Sequence, residues 1–301
     1  MKTSDEIRNE FLKFWTSSPR NAKIIPNVSL VPNNDPTLLF VNSGMFPLVP
    51  YLAGQPHPLG KRLCNVQRCL RTNDIEDVGD YNHLTFFEMI GNWSLGAFSK
   101  TEQILWKMEL YVEKFGLDPQ RIFASVWGGD DNIPRDDEAI DAWIKAFKKY
   151  GIEAKFSEDI TNVPQQGESS QNWQFRIFPY GKKDNWWQRG PEVNGELGGP
   201  CSEIFYDMQT VLNDTGEKLH INDDSGRYLE IGNSVFMEYR FEDGKWKPME
   251  QKNIDYGGGL DRIVATVQNK RSVYETDLFI DYINAIENIS GHKYDHNEEQ
   301  K

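Results

Sequence analysis

Arg71 is the first residue whose type and position suggest chemistry. It lies near the end of a predicted strand, 66–72, and precedes a loop that carries four carboxylates. A guanidinium fixed at the end of a strand can grip a phosphate or a carboxylate at two points. The alternative is a solvated hairpin in which Asp74, Glu76 or Asp77 neutralises the arginine. Arg71 alone does not decide between these two interpretations.

The stretch that returns from this loop also carries polar and aromatic groups. A strand here places His83, Thr85 and Phe87 on one face, because successive side chains of a strand point to opposite faces. Leu84 and Phe86 then fall on the other face. The first face offers an aromatic ring that could stack on a flat base. An aromatic residue on a strand is nevertheless more often part of the core.

A second candidate stretch begins at Asn253 and contains Asp255, three consecutive glycines and Arg262. A helix is expected from about Leu260, and Arg262 lies about 200° from Leu260 around it, away from the apolar face. Glycines at a helix start indicate close approach by a ligand or by another strand. Neither common nucleotide-binding glycine motif is present, so a tight turn is the competing interpretation.

A third set of residues combines aromatic and acidic groups. Trp187 ends a tryptophan pair just before a loop rich in glycine and proline, and Glu203, Glu230 and Asn233 follow on or beside predicted strands. Paired tryptophans can wall a small pocket or simply pack against a sheet. Glu230 and Asn233 are three positions apart, so they share a strand face only if a bulge or bend lies between them.

The elements that must position these residues follow a mixed order. Thr3 and Glu6 predict a capping box for a first helix, whose apolar residues recur at helical spacing. The other predicted helices are 101–115, capped by Thr101 and ended by Gly116, then 136–150 and 276–288; the predicted strands are 37–41, 66–72, 83–90, 122–127, 201–206, 228–231 and 234–241, with 188–200 as a loop. This order favours an α+β fold, an antiparallel sheet flanked by helices.

Composition limits the kind of partner. The 301 residues include 33 basic and 46 acidic ones, a net charge of −13, which argues against broad electrostatic binding of nucleic acid. The three cysteines form no CxxC pair, which is typical of a reduced intracellular protein. The first residues lack the apolar core of a secretory signal, and no run of about 18 apolar residues occurs. We therefore expect a cytoplasmic protein with no membrane partner.

Six blocks of the sequence resemble the catalytic core of the alanyl-tRNA synthetases, a family of class II aminoacyl-tRNA synthetases. In order they are DPTLLFVNSGM, QRCLRTNDIEDVG, HLTFFEMIGNWSLG, GPCSEIFYD, YLEIGNSVFMEY and DYGGGLDRI, within roughly residues 5–290. The resemblance implies a class II synthetase fold. It also implies ATP-dependent activation of alanine to alanyl-adenylate and, with tRNA-recognition parts, aminoacylation of tRNA(Ala). ATP would be a substrate and Mg²⁺ a cofactor.

The resemblance implies roles for residues on the nucleotide side. Arg71 matches the arginine that bridges the α-phosphate and the amino-acid carboxylate. Phe87 matches the aromatic residue that stacks on adenine, and Arg262 matches the arginine on the other side of the base. His83 takes the position that holds the β- and γ-phosphates, and Glu230 is a candidate magnesium contact.

On the alanine side, the resemblance matches Asp255 with the carboxylate that takes the substrate ammonium. Trp187 and Asn233 match residues that line the alanine pocket, and Met45 fits the strand near it. Attack of a carboxylate on the α-phosphorus needs positioning and charge cancellation rather than covalent enzyme chemistry. Arg71 and a magnesium ion would supply the positive charge.

The sequence departs from the family near the expected pocket. Tyr256 follows the ammonium-binding aspartate where the family usually has threonine, and Gly232 precedes the pocket asparagine where tryptophan is common. The family's Gly-Pro-Cys-Gly-Pro-Cys run is reduced at positions 196–201. These changes put the pocket size in question, and small pockets discriminate weakly between alanine, glycine and serine.

The length of the chain suggests a division into two parts. The expected catalytic domain is 1–265, and 266–301 would be the start of the family's helical tRNA-recognition region and a tail, without its editing and C-terminal domains. His292 and His296 have an HxxxH spacing, but they follow a helix stop and lack a third ligand, so no zinc is expected. A monomer is expected, and the acidic balance predicts weak binding of a tRNA acceptor stem.

Two alternatives to an alanine-activating core stay open. A stand-alone paralogue would activate a small amino acid for another acceptor. A non-catalytic regulatory or binding subunit would keep the fold but is expected to lose the charged site groups, whereas Arg71, Asp255 and Arg262 are all present. Exchange of pyrophosphate into ATP, measured with several small amino acids, separates these possibilities.

Overall fold

A computed structural model describes residues 1–32 and 38–294 of the chain. In chain order its strands are β1 Lys23–Ile24, β2 Arg62–Leu70, β3 Phe86–Leu95, β4 Ile122–Trp127, β5 Lys155–Phe156, β6 Phe175–Tyr180, β7 Trp186–Gln188, β8 Leu197–Asp207, β9 Tyr228–Glu242 and β10 Lys245–Gly259. Within the described residues they form one sheet of order β1-β2-β3-β10-β9-β8-β4-β6-β5, and β7 pairs with β8 beside this path.

The central strand pairs are antiparallel, as predicted. Parallel pairs occur only toward the two edges of the described sheet, between β1 and β2, β4 and β6, and β5 and β6. The α+β prediction, an antiparallel sheet flanked by helices, is therefore confirmed, with these parallel pairs as an addition. They bring in short strands that follow loops or helices rather than hairpin turns.

Helices cover mainly one face of the sheet. They are α1 Ser4–Thr16, α2 Val49–Leu52, α3 Lys100–Glu109, α4 Asp137–Lys148, α5 Lys182–Asn185, α6 Leu260–Val267 and α7 Ile280–Ser290. We call the face that carries Ile90, Ile254 and Tyr256 the covered face, because these side chains share a core with α1, α3, α4 and α6. The opposite face, which carries Trp93 and Met237, is called the open face. No helix among the described residues is long and apolar enough to cross a membrane.

The predicted helices form, but some of their ends differ. The capping box predicted for α1 is present. Ser99 rather than Thr101 caps α3, because its hydroxyl accepts the Glu102 amide while the Glu102 carboxylate accepts the Ser99 amide. The last helix begins at Ile280 rather than 276, since a 3₁₀ turn over Val273–Glu275 comes first.

The hairpin predicted around the acidic loop is confirmed, since β2 and β3 pair antiparallel with Leu70 opposite Phe86. The strand predicted at 37–41 is wrong for its described part. Residues 38–41 form bends, because the Val41 amide bonds to the Leu30 carbonyl oxygen in the preceding loop. Thr37 lies outside the described residues.

Two further predicted boundaries were wrong, at the strands β8 and β9. The predicted loop 188–200 ends early, because β8 begins at Leu197 and pairs with β9 there. The separate strands 228–231 and 234–241 are one strand, β9, whose register against β8 shifts near Ile231. The strand predicted at 122–127 is confirmed as β4.

A buried ion pair ties β9 to β8 close to this register shift. The Arg227 guanidinium donates to both carboxylate oxygens of Asp207, at 2.9 Å each. The two side chains are only 2% and 0% exposed. Arg227 also donates to the main-chain oxygens of Gln165 and Glu168, so its donors are shared between two strands and a loop. Two-point bonding of this kind fixes direction as well as distance.

Asp207→Asn should lower the free energy of unfolding by about 3–5 kcal/mol, because it leaves a buried guanidinium without its counter-charge. As a control, Glu158→Gln removes an exposed ion pair with Arg135 and should cost less than about 1 kcal/mol. Urea unfolding followed by tryptophan fluorescence measures both. Equally small losses would contradict a structural role for the Arg227–Asp207 pair.

Candidate functional site

One cavity on the open face collects the residues that the sequence singled out. Its volume is about 460 Å³. All nine predicted site residues line it: Met45, Arg71, His83, Phe87, Trp187, Glu230, Asn233, Asp255 and Arg262. Side chains that are far apart in the sequence therefore meet at one place. Their shared location does not test the individual roles, which stay predictions.

Strand alternation places the central residues toward this cavity. Phe87 and Met89 are two positions apart on β3, and Asp255 and Gly257 are two positions apart on β10; all four line the cavity. Asn233 on β9 lies opposite Gly257 in the register. Residues at alternate positions of neighbouring strands share a face, so three adjacent strands supply one continuous surface of the cavity.

Asp255 is held by a residue directly across the sheet. It lies opposite Trp93 in the register of β10 and β3, and the Trp93 indole Nε1 donates to its Oδ1 at 2.6 Å. The indole needs the space at position 91, because a Cβ on Gly91 would lie 2.4 Å from its ring. Burial raises the pKa of Asp255 to about 7, while the hydrogen bond from Trp93 acts in the opposite direction. No described side chain forms an ion pair with this carboxylate.

Arg71 is positioned by main-chain groups and by an aromatic ring. Its Nε donates to the Asn42 carbonyl oxygen at 3.1 Å, and its amide donates to the Thr85 carbonyl oxygen at 2.7 Å. The guanidinium carbon lies 5.0 Å from the centre of the Phe87 ring, within cation–π range. Arg71 itself lines the cavity.

The alternative in which the acidic loop neutralises Arg71 finds little support. Glu76 and Asp77 are exposed, and neither forms an ion pair with Arg71. The side chain of Asp74 lies outside the described residues. Among the described residues, Arg71 is therefore held by main-chain oxygen and the Phe87 ring and not by Glu76 or Asp77.

Arg262 approaches the cavity from the first turn of α6. Its Nη1 donates to the Glu230 carboxylate at 2.9 Å and to the Glu230 main-chain oxygen at 3.4 Å. Leu260, Ile263 and Val264 form the buried side of the helix. As predicted, Arg262 points away from that side and is partly accessible, with 20% of its side chain exposed.

A β-bulge brings Glu230 and Asn233 to the same cavity. The register of β9 against β8 slips by one residue at Ile231, which has no partner on β8 within the described pairing. One extra residue reverses the alternation of side chains beyond it. Two residues three positions apart can then share a face, and the predicted bulge is confirmed.

His83 lies in a turn rather than in a strand. Its Nδ1 is 2.5 Å from Asp80 Oδ2, and its amide donates to Asp80 Oδ1 at 2.7 Å. The hydrogen bond to Asp80 raises the pKa of His83, against the opposing effect of burial. The alternation predicted for 83–87 is wrong here, because β3 begins only at Phe86. Leu84, assigned to the opposite face, lines the cavity together with His83 and Phe87.

Two acidic residues of the cavity were given no role from the sequence: Glu203 was only noted in the third candidate set, and Asp261 was not singled out. Glu203 accepts hydrogen bonds from Asn233 at 3.3 Å and from Ser125 at 3.1 Å, and burial together with repulsion by Glu230 raises its pKa well above the usual value. Asp261 is 5% exposed, and its Oδ1 has no hydrogen-bond partner among the described residues. Burial raises the pKa of Asp261 to about 6.

The two omissions differ in the signal that the sequence carried. Glu203 is the single acidic residue between Leu197 and Tyr206 on an otherwise apolar or small-residue strand, which was a usable signal. Asp261 stands in the first turn of a helix, where an acidic residue is ordinary. Nothing in its position distinguishes a cavity residue from one that merely favours the helix terminus.

The arrangement separates groups for anions from a group for a cation. Arg71 and Arg262 present guanidinium groups to the same cavity. Asp255 presents a carboxylate that has no cationic partner among the described side chains. A ligand that carries both an ammonium group and several anionic oxygens can satisfy all three at once.

The chain belongs to the class II tRNA synthetases. The family model described as tRNA synthetases class II (A) matches residues 6–301, almost the whole sequence. The resemblance drawn from the six sequence blocks is thereby confirmed at the level of the class.

Curated relatives narrow the likeness to one kind of synthetase. The alanine–tRNA ligase of Treponema denticola is 42% identical over 301 residues, which cover 98% of this chain and 45% of that protein. The corresponding protein of Treponema pallidum is 40% identical over 296 residues, with 97% and 44% covered. That of Rubrobacter xylanophilus is 39% identical over 298 residues, with 96% and 30% covered. The chain thus spans less than half the length of these relatives.

Solved structures show a more distant likeness. Apo histidyl-tRNA synthetase of S. aureus matches with a TM-score of 0.46 and 14% identity, covering 88% of this chain and 65% of that one. The assignment to the class rests on the family model and not on this match.

Trp93→Phe should raise the pKa of Asp255 above its value of about 7, because it removes the one hydrogen bond that favours the ionised carboxylate. A carbon-13 NMR titration of the aspartate carboxyl groups measures the midpoint, and Asp255→Asn assigns the resonance. A midpoint that stays the same or falls in folded Trp93→Phe would contradict the role given to the indole.

Proposed function

We propose that this chain activates alanine with ATP to form alanyl-adenylate and pyrophosphate. The observation that carries the proposal is the meeting of Arg71, Asp255 and Arg262 in one cavity. The similarity to alanine–tRNA ligases supports alanine as the amino acid. A paralogue with another acceptor and a non-catalytic subunit are not favoured by any contact in the described residues.

The amino acid would be held by its two charged ends. Asp255 takes the ammonium group, since its carboxylate lacks a cationic partner among the described residues. Arg71 faces the carboxylate. Met45, Trp187 and Asn233 then enclose the methyl group, and Met45 is only 4% exposed. A small walled space of this kind admits alanine and glycine and excludes longer side chains by steric overlap.

The nucleotide would lie on the other side of Arg71. The Phe87 ring faces the adenine base, and Arg262 covers the opposite side of it. His83, whose pKa is raised by Asp80, contributes positive charge toward the β- and γ-phosphates. In this proposed arrangement the α-phosphate would lie between the adenosine and the amino acid, beside the Arg71 guanidinium.

The reaction is a single displacement at the α-phosphorus. A carboxylate oxygen of alanine forms the new bond to the α-phosphorus, and the bond from this phosphorus to the oxygen that bridges the α- and β-phosphates of ATP breaks. That oxygen keeps the electron pair and leaves as part of pyrophosphate. No proton has to move and no enzyme group becomes covalently attached. The protein contributes in-line positioning and positive charge on the phosphate oxygens, for which Arg71 is the nearest candidate.

The residues present fit a magnesium ion that arrives with ATP. The described residues contain no group of three or more metal-ligating side chains able to hold an ion alone, and His296 of the HxxxH spacing lies outside them. Magnesium is usually bound by one or two carboxylates together with substrate phosphates. Glu230, with Glu203 beside it, would supply these carboxylates. The ion, when bound, would neutralise phosphate charge.

Transfer of the alanyl group to tRNA(Ala) is the second half of the proposed activity. The net charge of −13 predicts a weak contact between this chain and an acceptor stem. We assign 1–265 to catalysis and 266–301 to the start of a tRNA-recognition region, supported by α7, in which no residue is buried. A monomer that acts in the cytoplasm is the proposed state, and the three free cysteines are compatible with that compartment.

Alanine-dependent exchange of pyrophosphate into ATP is the direct test. Exchange should fall at least ~10³-fold in Arg71→Ala, because the charge at the α-phosphate is lost. Asp255→Asn should raise the KM for alanine about a hundredfold while the KM for ATP stays nearly constant. Arg68→Ala is the matched control, since Arg68 is an exposed arginine on the same strand and does not line the cavity. Absence of exchange with alanine, glycine and serine in the unaltered protein would refute the proposal.

The KM for alanine should depend on pH through Asp255. Only the ionised carboxylate pairs with an ammonium group, and its pKa is raised to about 7. The KM should therefore be lowest above pH 8 and rise about tenfold by pH 6, as protonation removes the binding form. In Asp255→Asn the KM should be high and flat over this range. A wild-type KM that is equally flat would contradict the assignment.

A further inference from the structure

The bulge at Ile231 leaves a buried backbone group that needs a partner. Ile231 is 0% exposed and has no register partner on β8 or on β10 within the described pairing. A buried carbonyl oxygen without a hydrogen bond is costly, so bulges of this kind depend on a donor from outside the ladder. The donor here is the hydroxyl of Tyr111, which lies 2.7 Å from the Ile231 carbonyl oxygen.

A second tyrosine fixes the first. The hydroxyl of Tyr256 lies 2.5 Å from that of Tyr111, and both residues are 0% exposed. Each hydroxyl can donate one hydrogen bond. Tyr111 donates to the Ile231 carbonyl oxygen, so the Tyr256 hydroxyl donates to that of Tyr111. The direction of the hydrogen bonds is therefore Tyr256 to Tyr111 to Ile231.

Both tyrosines are themselves held firmly. Tyr111 lies in a π-helical turn, Leu110–Lys114, that widens the end of α3, and such turns often occur where a helix serves a site. The Lys107 amine lies 2.8 Å from the centre of the Tyr256 ring and has no hydrogen-bond partner among the described residues. The hydroxyl pair is thus embedded in packed groups and has little freedom to move away from the bulge.

The hydroxyl pair also gives a physical reason for a glycine at position 232 of β9. A Cβ at Gly232 would lie 2.5 Å from the Tyr256 hydroxyl and 2.8 Å from the Tyr111 hydroxyl. Any larger residue at 232 would therefore push the pair away from the bulge. Gly232 and Tyr256, noted above as separate departures from the family, are in contact.

We propose that Tyr111 and Tyr256 are positioning residues that hold the bulge at Ile231 and thereby direct Glu230 and Asn233 into the cavity. Tyr256 follows Asp255 on β10, but its side chain points to the covered face while that of Asp255 points to the cavity. Neither tyrosine lines the cavity, and their hydrogen bonds act on it through β9. The kinetic consequence rests on the function proposed above, whereas the structural one does not.

The test compares Tyr111→Phe, Tyr256→Phe and the double variant. Tyr111→Phe should raise the KM for alanine about three- to tenfold, the effect expected from one hydrogen bond of ordinary net strength. Tyr256→Phe should have a smaller effect, because Tyr111 can still donate to Ile231. The double variant should be no worse than Tyr111→Phe alone, since the hydrogen bonds act in series.

Tyr228→Phe is the matched control. Tyr228 is also buried on β9, and its hydroxyl donates to the Pro164 carbonyl oxygen at 2.7 Å, away from the bulge. It should lower the melting temperature as much as Tyr111→Phe does and leave the KM for alanine unchanged. If the wild type is active, an equal KM for alanine in Tyr111→Phe and Tyr228→Phe would overturn the proposal.

Hydrogen–deuterium exchange gives a second readout that does not need activity. Amides of residues 231–234 should exchange faster in Tyr111→Phe than in wild type or Tyr228→Phe. If the wild type shows no alanine-dependent exchange of pyrophosphate, the proposed function fails while this measurement still decides the positioning role. Unchanged amide exchange in Tyr111→Phe would overturn that role whatever the kinetics show.

Discussion

The cross-strand contact between Asp255 and Trp93 is the interaction on which the site depends. A carboxylate set into a sheet face among apolar side chains loses much of its hydration, and a single indole N–H restores only a part of it. Because its hydration is only partly replaced, the carboxylate is stabilised further either by taking up a proton or by binding a cation. This is the property that the proposed binding of a substrate ammonium group uses, because the free-energy cost of burying the carboxylate is met during folding.

The other charged groups of the cavity have partners of their own. Arg71 is turned toward main-chain oxygen and the Phe87 ring, and Arg262 is paired with Glu230. Neither guanidinium therefore cancels Asp255 directly. Because each charged group has its own partner, the positive and negative groups stay separate within one cavity. A ligand with oppositely charged ends requires such a separation.

The sequence predicted best what depends on neighbours in the chain. The capping box of α1 and the strand 122–127 formed as expected, because both are set by residues within a few positions of each other. The bulge could be foreseen from the three-residue spacing of Glu230 and Asn233. The Trp93–Asp255 contact could not, because its partners are 162 positions apart and only the strand register brings them together. The turn at His83 was missed for a related reason, since hydrogen bonds from His83 to the Asp80 carboxylate outweighed an alternation that looked like a strand.

The short strand β7 is attached to the sheet differently from the strands that carry Asp255 and Asn233. Asp255 and Asn233 belong to long central strands that are paired on both sides, whereas Trp187 belongs to a three-residue strand attached to β8 alone. Trp187 nevertheless packs against the apolar cluster that contains Trp93, the residue that donates to Asp255. A change of side chain on this short strand would therefore alter both the wall of the cavity and the packing behind the indole that holds Asp255.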